Sequence, residues 1–413
     1  MKKFNLIGTS MLCLAAAATV SCNNENKVME QGSYGYDVKF LDDHGIKTIE
    51  LKSEDGQSKV LLIPAFQARV MTSTADGDKG TSYGWINYRF IEAGQKSNQF
   101  NPYGGEERFW LGPEGGPFSL YFEPGAEQVY DNWVVPTLID TEAYDVAAQT
   151  PNSVKFTKDG KVSNASGTEF NMGVERTITL FSKDDVAATL DIDIDPSVKC
   201  VAYESNNVIT NKGDKEWTKE TGLPSIWMLS HFNFTPATTV FIPYNTKSDV
   251  QPIVNDTYFG KVPAERLIVD TMGTIFFKID GKLRSKIGVP NGRATNYVGS
   301  YDSDKKILSI MWYNMPEGQQ DYVNGNWGPQ DDPFNGDAIN AYNDGPLEDG
   351  SIMGPFYEVE TSSPGAALKP GESKQHIQRV YHFEGDEAAL NAISKAVLNL
   401  DLQNVAKVFP KNL

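Results

Sequence analysis

A histidine and a pair of closely spaced glutamates are the residues in this sequence best suited to proton transfer. His231 lies within residues 229–233, and Glu358 and Glu360 are separated by a single residue. A histidine titrates near neutrality and can both accept and donate a proton. On a strand, Glu358 and Glu360 would share one face, and two acids on one face fit a polar cleft better than a core. The alternatives are a hydrogen-bonded structural histidine and a solvated strand face.

A glycine-rich segment at residues 101–116 has the composition of a sugar-binding loop. Its glycine pairs allow the backbone to approach another group closely. Arg108, Trp110 and Glu114 supply a forked donor, a flat apolar face and an acceptor. Sugars need this combination, because hydroxyls bind charged or planar hydrogen-bonding groups while C–H faces stack on aromatic rings. We therefore predict that these three residues bind a substrate; the alternative is a tight structural turn with a buried Arg–Glu pair.

Two other segments add polar and aromatic candidates. Asn207 lies in an Asn-rich, strand-like run at residues 206–211, and Trp327 lies in a long irregular stretch, residues 324–345, rich in Asn, Asp and Gly. Long irregular segments in compact domains are often functional. We predict that Asn207 and Trp327 contact a sugar. The long stretch has two other interpretations, a plain loop and a calcium site with oxygen ligands, although its spacing does not match an EF-hand loop.

The beginning of the chain is typical of an export signal. Lys2 and Lys3 precede an apolar run at residues 6–20, which is shorter than the roughly 20 residues that span a bilayer, and Cys22 follows Ser21. A small residue directly before a cysteine resembles a lipobox. We predict a signal peptide at 1–21, lipidation of Cys22 and a tether at 22–34, which would anchor the protein in the bacterial envelope at the periplasmic face or the outer surface. The alternative is a plain secretory signal with an incidental cysteine.

Charge and cysteine content exclude other classes of protein. The formal net charge of −17 becomes −19 without residues 1–21, which carry two lysines and no acid. Such an acidic surface repels phosphate backbones, so nucleic acid is not an expected partner, and membrane attachment would depend on the lipid alone. Of three cysteines, only Cys200 lies beyond the predicted anchor. It has no intrachain partner, and we interpret it as a small buried hydrophobe.

Strand signals dominate the remaining sequence. Short apolar or alternating runs predict strands at 59–63, 274–279 and 307–313, and residues 174–180 and 188–195 alternate in the manner of a hairpin with its turn at 182–185. Clear helical spacing appears only after Asp386, with apolar residues at positions 390, 393, 397 and 400. We therefore predict one mostly β domain over residues 35–413, a large sandwich or barrel with a short C-terminal helix.

In their order along the chain, these segments resemble the galactose mutarotase-like superfamily. The matching pieces are Gly104-Gly105 followed by Trp110, the run 206–211, His231-Phe232-Asn233, and residues 357–360 followed by Leu-Lys-Pro-Gly-Glu at 368–372. The resemblance spans most of residues 35–385 and implies a large antiparallel β supersandwich that binds sugars. More narrowly, the chain is similar to lipoproteins of Bacteroidetes that carry a domain of unknown function.

The resemblance also implies a reaction, the aldose 1-epimerase isomerisation, which needs no cofactor. In that chemistry a glutamate takes the proton of the anomeric hydroxyl, a histidine protonates the ring oxygen, and the opened sugar recloses on its other face. His231 would be the acid, Glu358 or Glu360 the base, and Arg108 would hold hydroxyls. The Tyr of the family's histidine motif is absent from 229–233. Three functions follow as hypotheses: a sugar-active enzyme, a non-catalytic carbohydrate-binding lipoprotein, and a structural envelope lipoprotein.

Overall fold

The computed structural model describes residues 29–409. The predicted signal peptide, Cys22 and most of the predicted tether lie outside these residues. Between residues 29 and 409, no helix is both long enough and apolar enough to cross a membrane.

Strands make up most of the ordered structure. The helices are α1 (Tyr34–Asp43), α2 (Tyr88–Ala93), α3 (Thr137–Asp140), α4 (Lys183–Leu190), α5 (Glu387–Leu398) and α6 (Leu402–Val408). The strands are β1 (Ile49–Lys52), β2 (Lys59–Ile63), β3 (Arg69–Thr74), β4 (Arg108–Gly112), β5 (Asp145–Gln149), β6 (Ser153–Ser163), β7 (Glu169–Leu180), β8 (Lys199–Asn211), β9 (Ser225–Phe232), β10 (Thr238–Pro243), β11 (Leu267–Asp270), β12 (Thr274–Ile279), β13 (Ser285–Pro290), β14 (Tyr297–Asp302), β15 (Ile307–Tyr313), β16 (Asp337–Asn343), β17 (Tyr357–Ser362) and β18 (Ser373–Glu384).

These strands form three antiparallel sheets. The largest has ten strands in the order β11-β12-β10-β14-β15-β18-β8-β7-β6-β5, the second has five in the order β13-β16-β17-β9-β4, and a small one has the order β1-β2-β3. The two large sheets pack on each other, and most of the buried apolar side chains lie between and around them. This arrangement confirms the predicted fold class, a large antiparallel β supersandwich with a short C-terminal helix.

A polar network crosses the core between the two large sheets. Arg176 on β7 and Glu107, which precedes β4, form an ion pair of 2.6 Å between Nη2 and Oε1, and neither side chain is exposed. The second oxygen of Glu107 accepts hydrogen bonds from Ser205 and Gln378 at 2.7 and 2.9 Å. Burial raises the pKa of Glu107, and the charge of Arg176 opposes that shift. A charge this deep is stable only while its partner remains in place.

Asn207, which the sequence suggested as a substrate-binding residue, belongs to this buried network instead. Its side chain is fully buried. Its carbonyl oxygen accepts a hydrogen bond from Arg176 Nε at 2.8 Å, and its amide donates to the Ser205 hydroxyl at 3.1 Å. Asn207 therefore orients the core ion pair and does not reach a surface where a sugar could bind.

Local structure departs from the predictions at one place and follows them at others. Residues 188–195 do not pair with β7 as a hairpin, because the preceding residues form helix α4. Ser182 and Asp185 make a reciprocal capping box at its start, and Val186 and Leu190 bury one helical face. The predicted strands at 59–63, 274–279 and 307–313 match β2, β12 and β15, and the predicted C-terminal helix begins directly after Asp386. Cys200 is buried as predicted, and burial raises its pKa to about 12.

Candidate functional site

One face of the five-stranded sheet carries the charged side chains. Thr361 and Tyr357 on β17 hydrogen-bond to side chains of β18 and β14 in the ten-stranded sheet, at 2.8 and 2.7 Å. Because side chains alternate along a strand, Glu358 and Glu360 point to the opposite face, as the sequence predicted. We call this outer surface the site face. Paired residues of neighbouring strands extend it across the sheet, and it carries Lys286, Asn340, Tyr342, Glu358, Glu360, His231, Trp227, Arg108 and Trp110.

His231 and Glu358 are directly opposite each other on adjacent strands. Their register places the two Cα atoms side by side, and Nε2 of His231 lies 2.6 Å from Oε1 of Glu358. The other ring nitrogen, Nδ1, donates to the carbonyl oxygen of Gly105 at 2.9 Å. Gly105 has a φ of +114°, and a Cβ atom there would collide with the side chain of Arg69, so only glycine brings this carbonyl to the imidazole.

The hydrogen bonds of His231 and Glu358 limit where the protons of this pair can lie. Since Nδ1 must carry a hydrogen to donate to a carbonyl, the short contact between Nε2 and Glu358 needs a second proton lying between them. Burial lowers the pKa of His231, and the carboxylate of Glu358 opposes that shift. For Glu358, burial acts to raise the pKa, but His231 and Arg108 lower it to about 2. The pair therefore holds one transferable proton, with the carboxylate as its more acidic member.

Arg108 supports the carboxylate side of this pair. Its Nη2 atom lies 3.9 Å from Oε1 of Glu358, and its guanidinium stacks 3.9 Å above the centroid of the Trp110 ring. Nε of Arg108 is buried and has no hydrogen-bond partner among residues 29–409. The acid closest to Arg108 is thus Glu358 and not the neighbouring Glu114. The face of the Trp110 ring that the sequence suggested for a sugar is covered here by the guanidinium of Arg108.

Glu360 forms a second, separate ion pair on the same face. Its side chain is fully buried, and Oε2 contacts Lys286 Nζ at 2.9 Å and accepts a hydrogen bond from Trp227 Nε1 at 2.8 Å. Its other oxygen, Oε1, has no partner within the described part of the chain. Burial raises the pKa of Glu360 to about 7, although Lys286 opposes the shift. The two glutamates that the sequence could not distinguish therefore have opposite electrostatic environments.

A solvent-open cavity adjoins Glu360 on the site face. Its polar lining includes Glu114, Ser225, Lys286, Asp337 and Asn340, together with Tyr258 and Ser362. Glu114 was predicted to bind substrate, and burial raises its pKa. Lys286 and Asn340 were not predicted, because a single polar residue in an alternating strand is indistinguishable from a solvated one. His231, Glu358 and Arg108 lie further along the same strands and do not line this cavity.

An aromatic cluster closes the site face beyond His231. Trp85 and Phe356 stack with ring centroids 4.3 Å apart, and Phe356 packs edge-on against His231 at 5.2 Å. Tyr342 completes the cluster. As a result, only 3% of the His231 side chain is exposed, whereas 12% of the Glu358 side chain reaches solvent. A ligand would approach the pair from the side of Glu358.

The long irregular segment lies beside the cavity. Gly325 lines the cavity, and the nearby Trp327 is 37% exposed and packs against Phe122 with ring centroids 5.0 Å apart. Trp327 thus remains available to a ligand at the rim. Among residues 29–409, no three side chains of His, Cys, Asp or Glu lie close enough together to hold a metal ion. Asp332 instead accepts a hydrogen bond from the backbone of Phe334 at 2.9 Å.

Solved structures with a similar arrangement of strands have very different sequences. A putative aldose 1-epimerase from Escherichia coli K12 aligns over 82% of this chain and 99% of its own, with 11% identity and a TM-score of 0.49. The Slr1438 protein from Synechocystis sp. PCC 6803 aligns over 83% and 96%, with 11% identity and a TM-score of 0.49. A galactose mutarotase related enzyme from Lactobacillus acidophilus aligns over 82% and 99%, with 12% identity and a TM-score of 0.46.

Comparison of the sequence with protein-family models identifies the family of this chain. No match is found among curated proteins. A family model described as "Family of unknown function (DUF6786)" matches residues 32–409, nearly the whole chain, and the protein belongs to that family.

Proposed function

We propose that this protein binds a sugar on the site face and that His231 and Glu358 transfer protons to and from it, as in an aldose 1-epimerase. The observation that supports this most directly is the contact of 2.6 Å between His231 Nε2 and Glu358 Oε1, held between the Gly105 carbonyl and the guanidinium of Arg108. An acid and a base in direct contact, oriented by other groups, can act on one substrate within hydrogen-bond reach.

The proposed reaction uses the proton that the pair already holds. Glu358, as the carboxylate, accepts the proton of the anomeric hydroxyl while the bond between C1 and the ring oxygen breaks. His231, as the imidazolium, donates its Nε2 proton to that ring oxygen. Rotation about the C1–C2 bond presents the other face of the aldehyde, and the reverse transfers reclose the ring. Protons and charges balance without a cofactor, and Arg108 stabilises Glu358 while it is a carboxylate, before the first transfer and after the last.

The test is the rate of anomeric equilibration measured by NMR. Freshly dissolved α-glucose, α-galactose, α-mannose and α-xylose are each followed with and without the purified protein. We expect at least one sugar to reach its anomeric equilibrium faster, in proportion to protein concentration. An unchanged rate for every sugar in the panel would show that the epimerase assignment is wrong.

A second candidate is non-catalytic binding of a carbohydrate. It is favoured by the burial of His231 behind Trp85 and Phe356 and by the larger opening next to Lys286 and Glu360. Such a protein would bind a sugar through the polar lining of the cavity and would not change the rate of anomeric equilibration. Binding without rate enhancement in the NMR panel would therefore select this function.

We also propose that the protein is an envelope lipoprotein anchored through Cys22, on the basis of residues 1–22 alone. Expression of the full chain in a Gram-negative host that processes lipoproteins, with a clickable palmitate analogue in the medium, tests this. We expect Cys22→Ala to lose the label, whereas Cys200→Ala, which changes a buried cysteine, should keep it. Equal labelling of the Cys22→Ala variant would contradict lipidation at this residue.

A further inference from the structure

The site face is longer than one sugar ring. From His231 to Trp227 along β9, and from Glu358 to Ser362 along β17, the strands advance by four residues, which corresponds to roughly 13 Å at about 3.3 Å per residue. The His231–Glu358 pair lies at one end of this distance, and the cavity lined by Trp227, Ser225 and Ser362 lies at the other. The two regions lie on the same face of the same two strands, with Leu229 and Glu360 between them.

Buried polar atoms along this surface have no partner in the protein. Ser225 lines the cavity and is only 1% exposed, and its hydroxyl makes no hydrogen bond to any residue from 29 to 409. Oε1 of Glu360, which lies between the cavity and the His231–Glu358 pair, is also buried and has no hydrogen-bond partner among these residues. Leaving a buried polar atom unpaired is energetically unfavourable, so proteins rarely retain such atoms without a ligand or water to satisfy them. Both atoms favour a hydroxyl-bearing ligand.

The charges around the cavity select against an anionic ligand. Lys286 is the cation in its lining, and its ammonium is already paired with Glu360 at 2.9 Å. Glu114 and Asp337 add two acidic groups. Asp337 is held by Asn255 at 2.7 Å and by the hydroxyl of Tyr258. Phosphate and carboxylate groups would meet no free cation here, whereas neutral hydroxyls could bond to the serine, amide and carboxylate groups.

Glycine at one position of β13 keeps this polar cluster open. Gly288 pairs with Asn340 across the sheet, and a Cβ atom there would collide with the side chains of Asp337 and Asn340. A residue with any side chain at 288 would push these groups out of the lining. The sheet therefore accommodates two large polar side chains beside a cavity, where a purely structural sheet would pack apolar atoms.

We infer that the ligand is an uncharged oligosaccharide of at least two rings, with the second ring in the cavity next to Glu360. This inference rests on the proposed function, because the first ring is the one bound at the His231–Glu358 pair. The cavity would bind the second ring and would take no part in the proton transfer at the first.

The test compares affinities for sugars of increasing length. Isothermal titration measures the dissociation constants of glucose, galactose, mannose and xylose, of their linked disaccharides and trisaccharides, and of glucose 6-phosphate and glucuronate. We expect at least one disaccharide to bind about tenfold or more tightly than its parent monosaccharide, with the two anionic sugars weaker than glucose. Ser362→Tyr, which fills the cavity from β17, should bring the affinity ratio of disaccharide to monosaccharide close to one.

Two further variants accompany Ser362→Tyr: a control with the same substitution elsewhere, and a second substitution that blocks the cavity. Ser163→Tyr makes the same change at an exposed position on β6 of the ten-stranded sheet and should retain the wild-type ratio. If Ser362→Tyr does not fold, Gly325→Phe obstructs the cavity from its rim, where a Cβ atom has ordinary contacts only.

Each outcome bears on the inference. Equal affinity for monosaccharides and disaccharides in every series, a ratio unchanged by the obstructing variants, or tighter binding of an anionic sugar would each overturn it. If monosaccharides bind or equilibrate faster but longer sugars gain nothing, the second ring alone is wrong. If no sugar binds, the proposed function fails as well.

Discussion

His231→Gln is expected to slow protein-catalysed anomeric equilibration by about 10²–10⁴-fold, the usual contribution of a positioned acid or base. Glutamine fills a similar space and can still hydrogen-bond to Glu358, but it cannot donate a proton to the ring oxygen. Because the contact with Glu358 is retained in part, sugar affinity should change much less than the rate. The measurement is the NMR equilibration rate for the best sugar of the panel, together with its dissociation constant.

The matched control is His44→Gln, which makes the same change at an exposed residue following α1. It should leave the rate at the wild-type value. Thermal unfolding of both variants checks that the fold is intact. A His231→Gln protein that is folded and retains more than a tenth of the wild-type rate would remove His231 from the proton-transfer role, even if the sugar still binds.

Arg176→Met is expected to lower the free energy of unfolding by roughly 3–5 kcal/mol, the range for breaking a buried ion pair by removing one partner. Methionine occupies much of the volume of arginine, so the loss comes mainly from the uncompensated charge. Glu107 would remain buried with its carboxylate facing Ser205 and Gln378, and its hydrogen bonds alone would not replace the guanidinium. Urea unfolding followed by tryptophan fluorescence measures the change.

Lys155→Met is the surface counterpart of this substitution. Lys155 pairs with Glu175 at 2.6 Å, but 40% and 48% of the two side chains are exposed. Pairs of this kind contribute about 0–1 kcal/mol. The double variant Arg176→Met/Glu107→Leu should be more stable than Arg176→Met alone, because it removes the stranded charge. A loss below 1 kcal/mol for Arg176→Met would mean that water or a rearranged partner reaches Glu107.

The periodicity of the sequence predicted which side chains share one face of a strand, but not which strands lie next to each other in the sheet. Two glutamates one residue apart had to share a face once β17 formed, and they do. That Glu358 lies opposite His231, whereas Glu360 contacts Lys286, depends on which of the eighteen strands between residues 29 and 409 lie side by side. Pairings between distant segments leave no local signal, so sequence alone could not choose between the two acids.

The incorrect predictions have physical causes of the same kind. Asn207 is a polar residue of a kind that often binds ligands, but its strand β8 lies inside the ten-stranded sheet, and its buried side chain hydrogen-bonds to Arg176 of the Arg176–Glu107 pair. Residues 188–195 alternate like a strand. The capping box of Ser182 and Asp185 nevertheless starts helix α4, which includes residues 188–190. For Asn207, a buried partner from a distant segment outweighed the local pattern. For residues 188–195, a short capping motif just before them did so.

The placement of His231 and Glu358 on paired strands also determines which changes in the chain the pair can tolerate. Their separation is set by backbone hydrogen bonds between β9 and β17, so lengthening the connection before β17, residues 344–356, would leave it unaltered. Inserting one residue within either strand would instead bring Ser230 or Phe232 opposite Glu358 and turn the imidazole toward the other side of the sheet. Homologous chains can therefore differ in the lengths of their loops while the two reacting groups stay opposite each other. An insertion or deletion within β9 or β17 would separate them.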